Sequence, residues 1–267
     1  MASREPRASL RPYVRDLVGY DERCPRARIR RHFPCPSVVL IVDFGPPVRV
    51  TRGGDPRRSA RHPGGFAAGL DGVFATVEHG GRQQGVQVDL TPAGARRLFR
   101  FPLSELSGQI VALRDLLPAE QRTLAERLAE ARGWASRLDL VEEVLVRRIL
   151  GARVESARVD WAVARIEASG GALEVGALAR ELGHSPKHVI ALFRDQVGVP
   201  PKMLARLVRF ERVMRGAREP VPVRWAELAL AHGYCDQAHL ARDVRCFTGL
   251  TPTEARRSVT ELAGLFG

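Results

Sequence analysis

The stretch GYCDQAHLARDVRCFTGLTP, Gly233 to Pro252, decides the fold of this 267-residue chain. A looser version of it, GHSPKHVIALFRDQVGVPP, occupies Gly183 to Pro201. The apolar positions and the closing Gly-x-x-Pro of the two stretches keep one constant offset of 51 residues. Because a single shared residue is expected by chance but a constant offset through several landmarks is not, the pattern indicates an internal repeat.

Each copy of the repeat predicts two helices joined by a short turn. In the first copy an apolar face ends at Gly183, which can adopt the left-handed conformation of a tight turn. Ser185 then caps a new helix whose first position is Pro186. Gly233 makes the corresponding turn in the second copy, and residues 201–218 between the copies predict a rigid connecting helix. In this geometry a first helix braces a second one that enters a DNA major groove.

The C-terminal stretch from Arg158 to Val259 resembles the DNA-binding domain of the AraC/XylS family of bacterial transcription regulators. Its most specific part is the GYxDQxHLxRxVRxxTGLTPxExR pattern that begins at Gly233. The resemblance implies seven helices with two helix-turn-helix units, joined by one long helix, that enter successive major grooves on one DNA face. It also implies a sequence-specific transcription factor with double-stranded DNA as its partner and no enzymatic activity.

Candidate DNA-contacting side chains lie opposite the buried stripe of each second helix. Those predicted to read bases are Lys187, His188, Ile190 and Ala191 in the first copy and Gln237, Ala238, His239 and Arg242 in the second. Gln suits adenine and Arg suits guanine, whereas apolar Ile190 and Ala191 replace residues that are often polar in the family. The first unit is therefore expected to read sequence weakly. Those predicted to contact the DNA backbone are Ser185, Arg194, Arg206 and Arg245.

Residues 1–117 predict a β-rich sensor domain, so the whole chain is expected to be α+β. Its predicted strands are VVLIVDFG (38–45), VRV (48–50), GVFATV (72–77) and GVQVDL (85–90). Thr91 and Pro92 begin a short helix. The segments RHFPCPSVVLIVDFG, VQVDLTPAGARRLFRFPLSEL and VALRDLL resemble the uncharacterised β-rich domain that precedes the DNA-binding domain in some AraC-type regulators. That resemblance implies dimerisation or the sensing of an unknown small-molecule effector.

Residues 118–157 predict a helical hairpin and linker between the sensor domain and the DNA-binding domain of residues 158–267. Two apolar stripes, one through Leu124 and Leu128 and one through Val144 and Ile149, have helical spacing. Such stripes pack on their own domain or form a homodimer interface, and the sequence leaves both alternatives open. RNA polymerase is a further partner that such a regulator could contact.

Composition narrows the class of protein. A net charge of +12 favours an anionic partner such as nucleic acid. The longest apolar run is too short to span a membrane, and the N-terminus lacks the features of a signal peptide, so a cytoplasmic location without membrane contact is expected. The four cysteines form no CxxC pair and no zinc-ligand pattern, which predicts reduced thiols and neither a metal nor a cofactor.

An alternative function belongs to a different class. The N-terminal half could be an enzyme or a thiol-based covalent sensor that acts through Cys24 or Cys35, which would make the chain a bifunctional regulator. His32 and His79 lack the further ligands that a cupin-like metal site requires. The sequence also contains no nucleophile elbow, P-loop or dinucleotide-binding glycine motif.

Overall fold

The computed structural model describes residues 1–152, 157–219 and 222–264. The strands of the N-terminal half are β1 Ala2–Ser3, β2 Val14–Arg23, β3 Arg28–His32, β4 Val38–Asp43, β5 Arg49–Arg52, β6 Ser59–Arg61, β7 Phe66–Ala68, β8 Ala75–His79, β9 Arg82–Leu90 and β10 Ile110–Ala112. They form a six-stranded antiparallel sheet in the order β1-β2-β9-β4-β7-β10 and a four-stranded antiparallel sheet in the order β3-β8-β5-β6.

Alternate side chains of the central strands in the larger sheet face two different layers of the N-terminal half. In β4, Leu40 and Val42 face a layer of helices, whereas Val39 and Ile41 face the smaller sheet. Successive side chains of a strand point to opposite faces, so this apolar run is buried on both sides. The N-terminal half is therefore a helix layer, a six-stranded sheet and a four-stranded sheet stacked in that order.

The helices run from the N-terminal half to the C-terminus. They are α1 Pro92–Phe99, α2 Leu113–Leu116, α3 Pro118–Glu130, α4 Trp134–Leu145, α5 Ala157–Ala168, α6 Val175–Leu182, α7 Pro186–Val197, α8 Pro201–Gly216, α9 Trp225–Ala231, α10 Gln237–Thr248 and α11 Pro252–Gly264. A π-helical turn extends α4 to Leu150. An α+β chain with a helical C-terminal half and a long connecting helix, α8, confirms the predicted fold class.

The hairpin of α3 and α4 covers the outer face of the six-stranded sheet. Leu124 and Leu128 of α3 and Val141 and Val144 of α4 are buried in the same core as the outward side chains of the sheet. The two apolar stripes thus pack on their own domain. Residues 153–156 of the predicted linker lie outside the described residues.

The strand predictions were correct where the pattern was apolar and incomplete where it was polar. The predicted strands at 38–45 and 85–90 correspond to β4 and β9, and the one at 72–77 begins only at Ala75. The ten-residue strand β2, VRDLVGYDER, was not predicted. Its inward side chains include Asp16 and Glu22, which line a cavity and not a dry core, so the strand lacks the expected apolar alternation.

The C-terminal helices dock against the N-terminal half through ring and ion-pair contacts. Phe33 packs edge-on against Phe210 of α8, with ring centroids 6.2 Å apart. Arg15 of β2 forms an ion pair with Glu167 of α5. The backbone of Gly198, after α7, lies close to Leu103, since a Cβ added there would be 2.9 Å from the Leu103 carbonyl oxygen. The two halves consequently share one continuous apolar core.

Candidate nucleic-acid interface

The first recognition helix, α7, begins as its sequence predicts. The Ser185 hydroxyl accepts a hydrogen bond from the His188 N–H at 3.2 Å, and Pro186 occupies the first turn. Val189, Phe193 and Val197 are buried. The exposed side carries Lys187, His188, Ala191 and Arg194. The predicted base reader Ile190 is half-buried, so this helix exposes few hydrogen-bonding side chains along its middle turn.

The second recognition helix, α10, has the same construction with more polar groups. The Asp236 carboxylate caps it by accepting from the His239 N–H at 2.7 Å. Leu240, Val244 and Phe247 are buried. The exposed side carries Gln237, Ala238, Arg242 and Arg245. His239 is half-buried, with its ring 5.1 Å from the Tyr234 ring.

One of the arginines predicted to contact the DNA backbone, Arg206, has a partner within the protein. Arg206 of α8 donates to both carboxylate oxygens of Asp243, with Nη2 and Nε at 2.8 and 3.2 Å from Oδ1, and its guanidinium lies 4.8 Å from the Phe247 ring centroid. The hydrogen bond to Asp243 also raises the pKa of Arg206. The geometry therefore gives Arg206 a role in joining α8 to α10, and its phosphate contact stays a prediction. Arg194 and Arg245 stay exposed.

The helix α8 holds the two units in a fixed relation. Leu204, Leu207 and Val213 are buried along it, and Phe210 contacts the Phe247 ring edge-on at 5.1 Å. A 16-residue helix packed along one side acts as a rigid spacer, because its backbone hydrogen bonds leave no hinge. The two helix-turn-helix units are therefore joined by one rigid helix.

Two arginines of the N-terminal half contact the C-terminal ends of both recognition helices, and sequence reasoning missed them. Arg96 donates from Nη1 to the Gln196 carbonyl of α7 at 2.9 Å, and Arg31 donates from Nη1 to the Thr248 carbonyl of α10 at 2.8 Å. Cations stabilise the last carbonyls of a helix, which carry its partial negative charge. The partners lie 100 and 217 positions apart in sequence, so no local signal could have revealed them.

A cavity of about 810 Å³ lies between the two sheets and reaches α8. Val39, Ile41 and Phe66 line its sheet portion, whereas Phe210 and Met214 of α8 line the end at the domain junction. Arg31 also lines this cavity. A pocket of this size and mixed lining is typical of a small-molecule site.

The two candidate thiols of the N-terminal half lie in surroundings that keep them protonated. A hydrogen bond to Glu22 raises the pKa of Cys24, and burial raises the pKa of Cys35 to about 12. Both shifts disfavour the thiolate, which is the reactive form of cysteine. His32 pairs with Ala75 and His79 with Arg28, so the two histidines lie at opposite ends of the β3–β8 pair.

Comparison with known proteins agrees with this geometry. A family model described as a helix-turn-helix domain matches residues 178–258, which include both recognition helices and α8. The chain carries an AraC-type helix-turn-helix domain. This domain supports DNA binding and transcription regulation as the role of the C-terminal half. No curated protein sequence matches it significantly.

Solved structures show the same overall fold. ToxT from Vibrio cholerae superposes with a TM-score of 0.52 at 8% identity, over 91% of this chain and 97% of that one. Wild-type ToxT of Vibrio cholerae strain SCE256 bound to an unsaturated fatty acid gives 0.52 at 8% identity, over 95% and 96% of the two chains. At such identities the likeness concerns the fold alone. In the described ranges, no helix has the length and apolar character needed to cross a membrane.

Proposed function

We propose that this regulator controls transcription by placing α7 and α10 in successive major grooves of double-stranded DNA, in response to a small molecule held in the interdomain cavity. The observation that carries the DNA-binding part is the pair of capped helices on one rigid spacer, each with its polar side exposed. One chain thereby reads two grooves, a task for which a single helix-turn-helix unit needs a dimer.

Specificity is assigned mainly to α10. Arg242 and Gln237 present the side chains that suit guanine and adenine edges, each of which contributes about 1–3 kcal/mol of discrimination. In α7, Lys187 and His188 supply the polar contacts, and Ile190 and Ala191 offer apolar contact to thymine methyl groups. Arg194 and Arg245, which lie farther along the exposed sides, are assigned to phosphates.

Ligand control is proposed to act through Arg31. This side chain lines the cavity and also donates to the Thr248 carbonyl at the end of α10. A molecule in the cavity that displaces or fixes Arg31 would change how firmly α10 is held, because one group participates in both contacts. The fatty acid bound by the structurally similar ToxT supports a small-molecule site in this fold.

Protection footprinting tests the DNA-binding part. The full-length protein is incubated with DNA from its own gene neighbourhood at fixed near-physiological salt, because salt strongly changes such affinities. We expect protection of two neighbouring major grooves on one DNA face. The Arg242→Ala variant should protect the groove that α10 occupies less strongly than the wild-type protein does. Protection of a single groove by the wild-type protein would contradict the two-reader proposal.

A further inference from the structure

The exposed side of α10 continues to the glycine that ends the helix. Ala238, Arg242, Arg245 and Gly249 are all exposed, and they follow one another at spacings of four, three and four residues. Residues at these spacings lie on one face of a helix. The side of α10 that is proposed to face DNA therefore extends through the last turn to Gly249.

The N-terminal half contacts α10 at that same end. A Cβ added at Gly249 would lie 3.2 Å from the Phe74 ring and 3.6 Å from Nη1 of Arg31. Arg31 also stacks on the Phe74 ring, with its guanidinium carbon 4.3 Å from the ring centroid. A Cβ added at Gly72 would lie 3.4 Å from the Phe247 ring. Residues 72–74 thus lie against the last turn of α10, beside its exposed side.

A hairpin of the smaller sheet packs on the other side of Phe74. The hairpin consists of β5, β6 and the turn between them, residues 49–61, and is called the basic hairpin below. Gly53 at its tip donates its N–H to the Phe74 carbonyl at 2.8 Å. A Cβ added at Gly54 would lie 3.7 Å from Cζ of Phe74, and one added at Gly249 would lie 3.8 Å from the same atom. A single ring atom therefore separates the tip of the hairpin from the end of α10.

The basic hairpin carries positive charge that the protein does not neutralise. Its sequence, RVTRGGDPRRSAR, contains five arginines and one aspartate. Arg49 forms an ion pair with Glu78 at 3.8 Å, and Arg52 forms one with Asp71. Because β6 is the edge strand of the four-stranded sheet, no further strand of this sheet covers the outer side of the hairpin. The remaining arginines are exposed and have no acidic partner among the described residues: Arg57, Arg58 and Arg61.

We propose that the basic hairpin contacts the DNA backbone next to the groove that α10 occupies, with Arg57 and Arg58 bound to phosphates. Guanidinium groups suit this task because their planar set of donors matches the oxygens of a phosphate. Phosphate contacts fix the register of a protein on a duplex without reading its sequence. The N-terminal half is then part of the DNA interface. This inference rests on the proposed function, because it takes α10 to lie in a major groove.

The end of α7 is built differently, which makes the proposal asymmetric. Gly198 is buried there against the backbone of Leu103. Arg96, which donates to a carbonyl in the last turn of α7, already forms an ion pair with Asp160. Backbone contacts beyond the recognition helices are therefore expected at the α10 end of the DNA site and not at the α7 end.

The salt dependence of DNA binding tests the proposal. The full-length protein is titrated, with fluorescence anisotropy as the readout, against a duplex of about 30 base pairs and random sequence, because phosphate contact does not depend on sequence. Each phosphate contact contributes about 0.9 to the slope of log K against log salt. Arg57→Gln with Arg58→Gln should reduce that slope by about 1.8 and lower the affinity about tenfold at low salt. Arg57→Lys with Arg58→Lys keeps both charges and should keep the slope.

A matched control removes the same charge elsewhere. Arg122→Gln with Arg132→Gln changes two exposed arginines in α3 and in the turn after it, on the far side of the six-stranded sheet, and should leave the slope nearly unchanged. Thermal unfolding establishes that every variant is folded. Equal reductions by the two pairs would assign the effect to total charge and overturn the proposal. An unchanged slope in the hairpin variant would also overturn it, and would leave these arginines as charges that protect an edge strand.

Hydroxyl-radical footprinting locates the contact on the DNA used for the protection footprint. The hairpin variant should lose backbone protection only beyond the groove that α10 occupies, and loss beyond the α7 groove instead would contradict the assignment. A two-groove footprint of the wild-type protein together with an unchanged slope in the hairpin variant rejects this inference alone. A wild-type protein that binds no DNA rejects the proposed function itself.

Discussion

The two helix-turn-helix copies share one plan but are embedded differently. Both recognition helices start at a side-chain cap and end at a left-handed glycine, Gly198 after α7 and Gly249 after α10, at the same sequence offset. Val197, Gly198 and Val199 are buried at the end of α7, next to the backbone of Leu103, whereas Gly249 is exposed. The end of the first copy is part of the interdomain core, and that of the second lies at its edge.

This difference suggests a division of labour. The first copy, with Ile190 and Ala191 on its proposed reading side, packs against the N-terminal half at the end of α7, which fits the expectation that it positions the domain. The second copy exposes Gln237 and Arg242, the side chains proposed to read sequence, and contacts the cavity-lining Arg31. A duplicated unit can specialise in this way because packing constrains one copy and leaves the other free to respond.

The largest expected contrast comes from the two terminal glycines. Gly198→Ala should destabilise the protein by about 2–5 kcal/mol, since φ is +86° and the new Cβ would meet the Leu103 carbonyl oxygen at 2.9 Å. Gly249→Ala should cost only about 1–2 kcal/mol, since its φ of +70° is also strained but the nearest contact is the Phe74 ring at 3.2 Å. Urea unfolding of both variants measures the contrast, and equal losses would remove the distinction between a core end and an edge end.

The next contrast concerns base reading. Arg242→Ala should reduce discrimination at one base position by about 1–3 kcal/mol, because a bidentate contact to guanine is lost. Arg194→Ala, at an exposed arginine of α7 that is assigned to phosphates, should weaken binding to all sequences alike and flatten the salt dependence. Competition binding against operator variants distinguishes the two outcomes. Uniform weakening by Arg242→Ala would contradict its assignment to base readout.

A smaller contrast separates the two arginines that contact the recognition helices. Arg96→Gln should destabilise the interdomain contact by about 1–3 kcal/mol, because Arg96 bonds the Gln196 carbonyl and also pairs with Asp160. Arg31→Gln should cost about 1 kcal/mol, since it loses one carbonyl contact and its stacking on Phe74, but it should uncouple DNA affinity from the cavity ligand. Thermal unfolding and DNA titration with and without ligand measure both effects, with exposed Arg26→Gln as the control.

The helical half was predictable because its signals are local. The Ser185 cap, the Pro186 start, the turn at Gly183 and the buried stripe through Val189 depend on residues a few positions apart. The sequence also identified the exposed sides of both recognition helices, except at Ile190 and His239, which are half-buried. Because the helix-turn-helix pattern occurs twice in the sequence, each copy supports the prediction made from the other.

The features that sequence reasoning missed depend on distant contacts. The ion pair of Arg206 with Asp243, 37 positions away, leaves no local signal in the sequence. Strand β2 was missed because its inward acids, including Asp16, face a cavity whose existence depends on how two sheets pack. In a sequence, a polar residue within a strand predicts a solvent-exposed position. Whether it instead faces an internal cavity depends on how the second sheet packs, which the hydrophobic pattern of one strand does not contain.

The smallest expected effect tests how far the likeness of the two copies extends. Ser185→Ala and Asp236→Ala each remove the hydrogen bond that caps a recognition helix, so each should destabilise its helix by about 1 kcal/mol. Asp236 additionally places a negative charge at a helix N-terminus, which contributes about 0.3–1 kcal/mol at low ionic strength and less in high salt. Urea unfolding should therefore show a larger loss for Asp236→Ala in low salt and nearly equal losses in high salt. A difference that persists in high salt would mean that Asp236 stabilises the second copy by a contact other than the cap and the helix dipole.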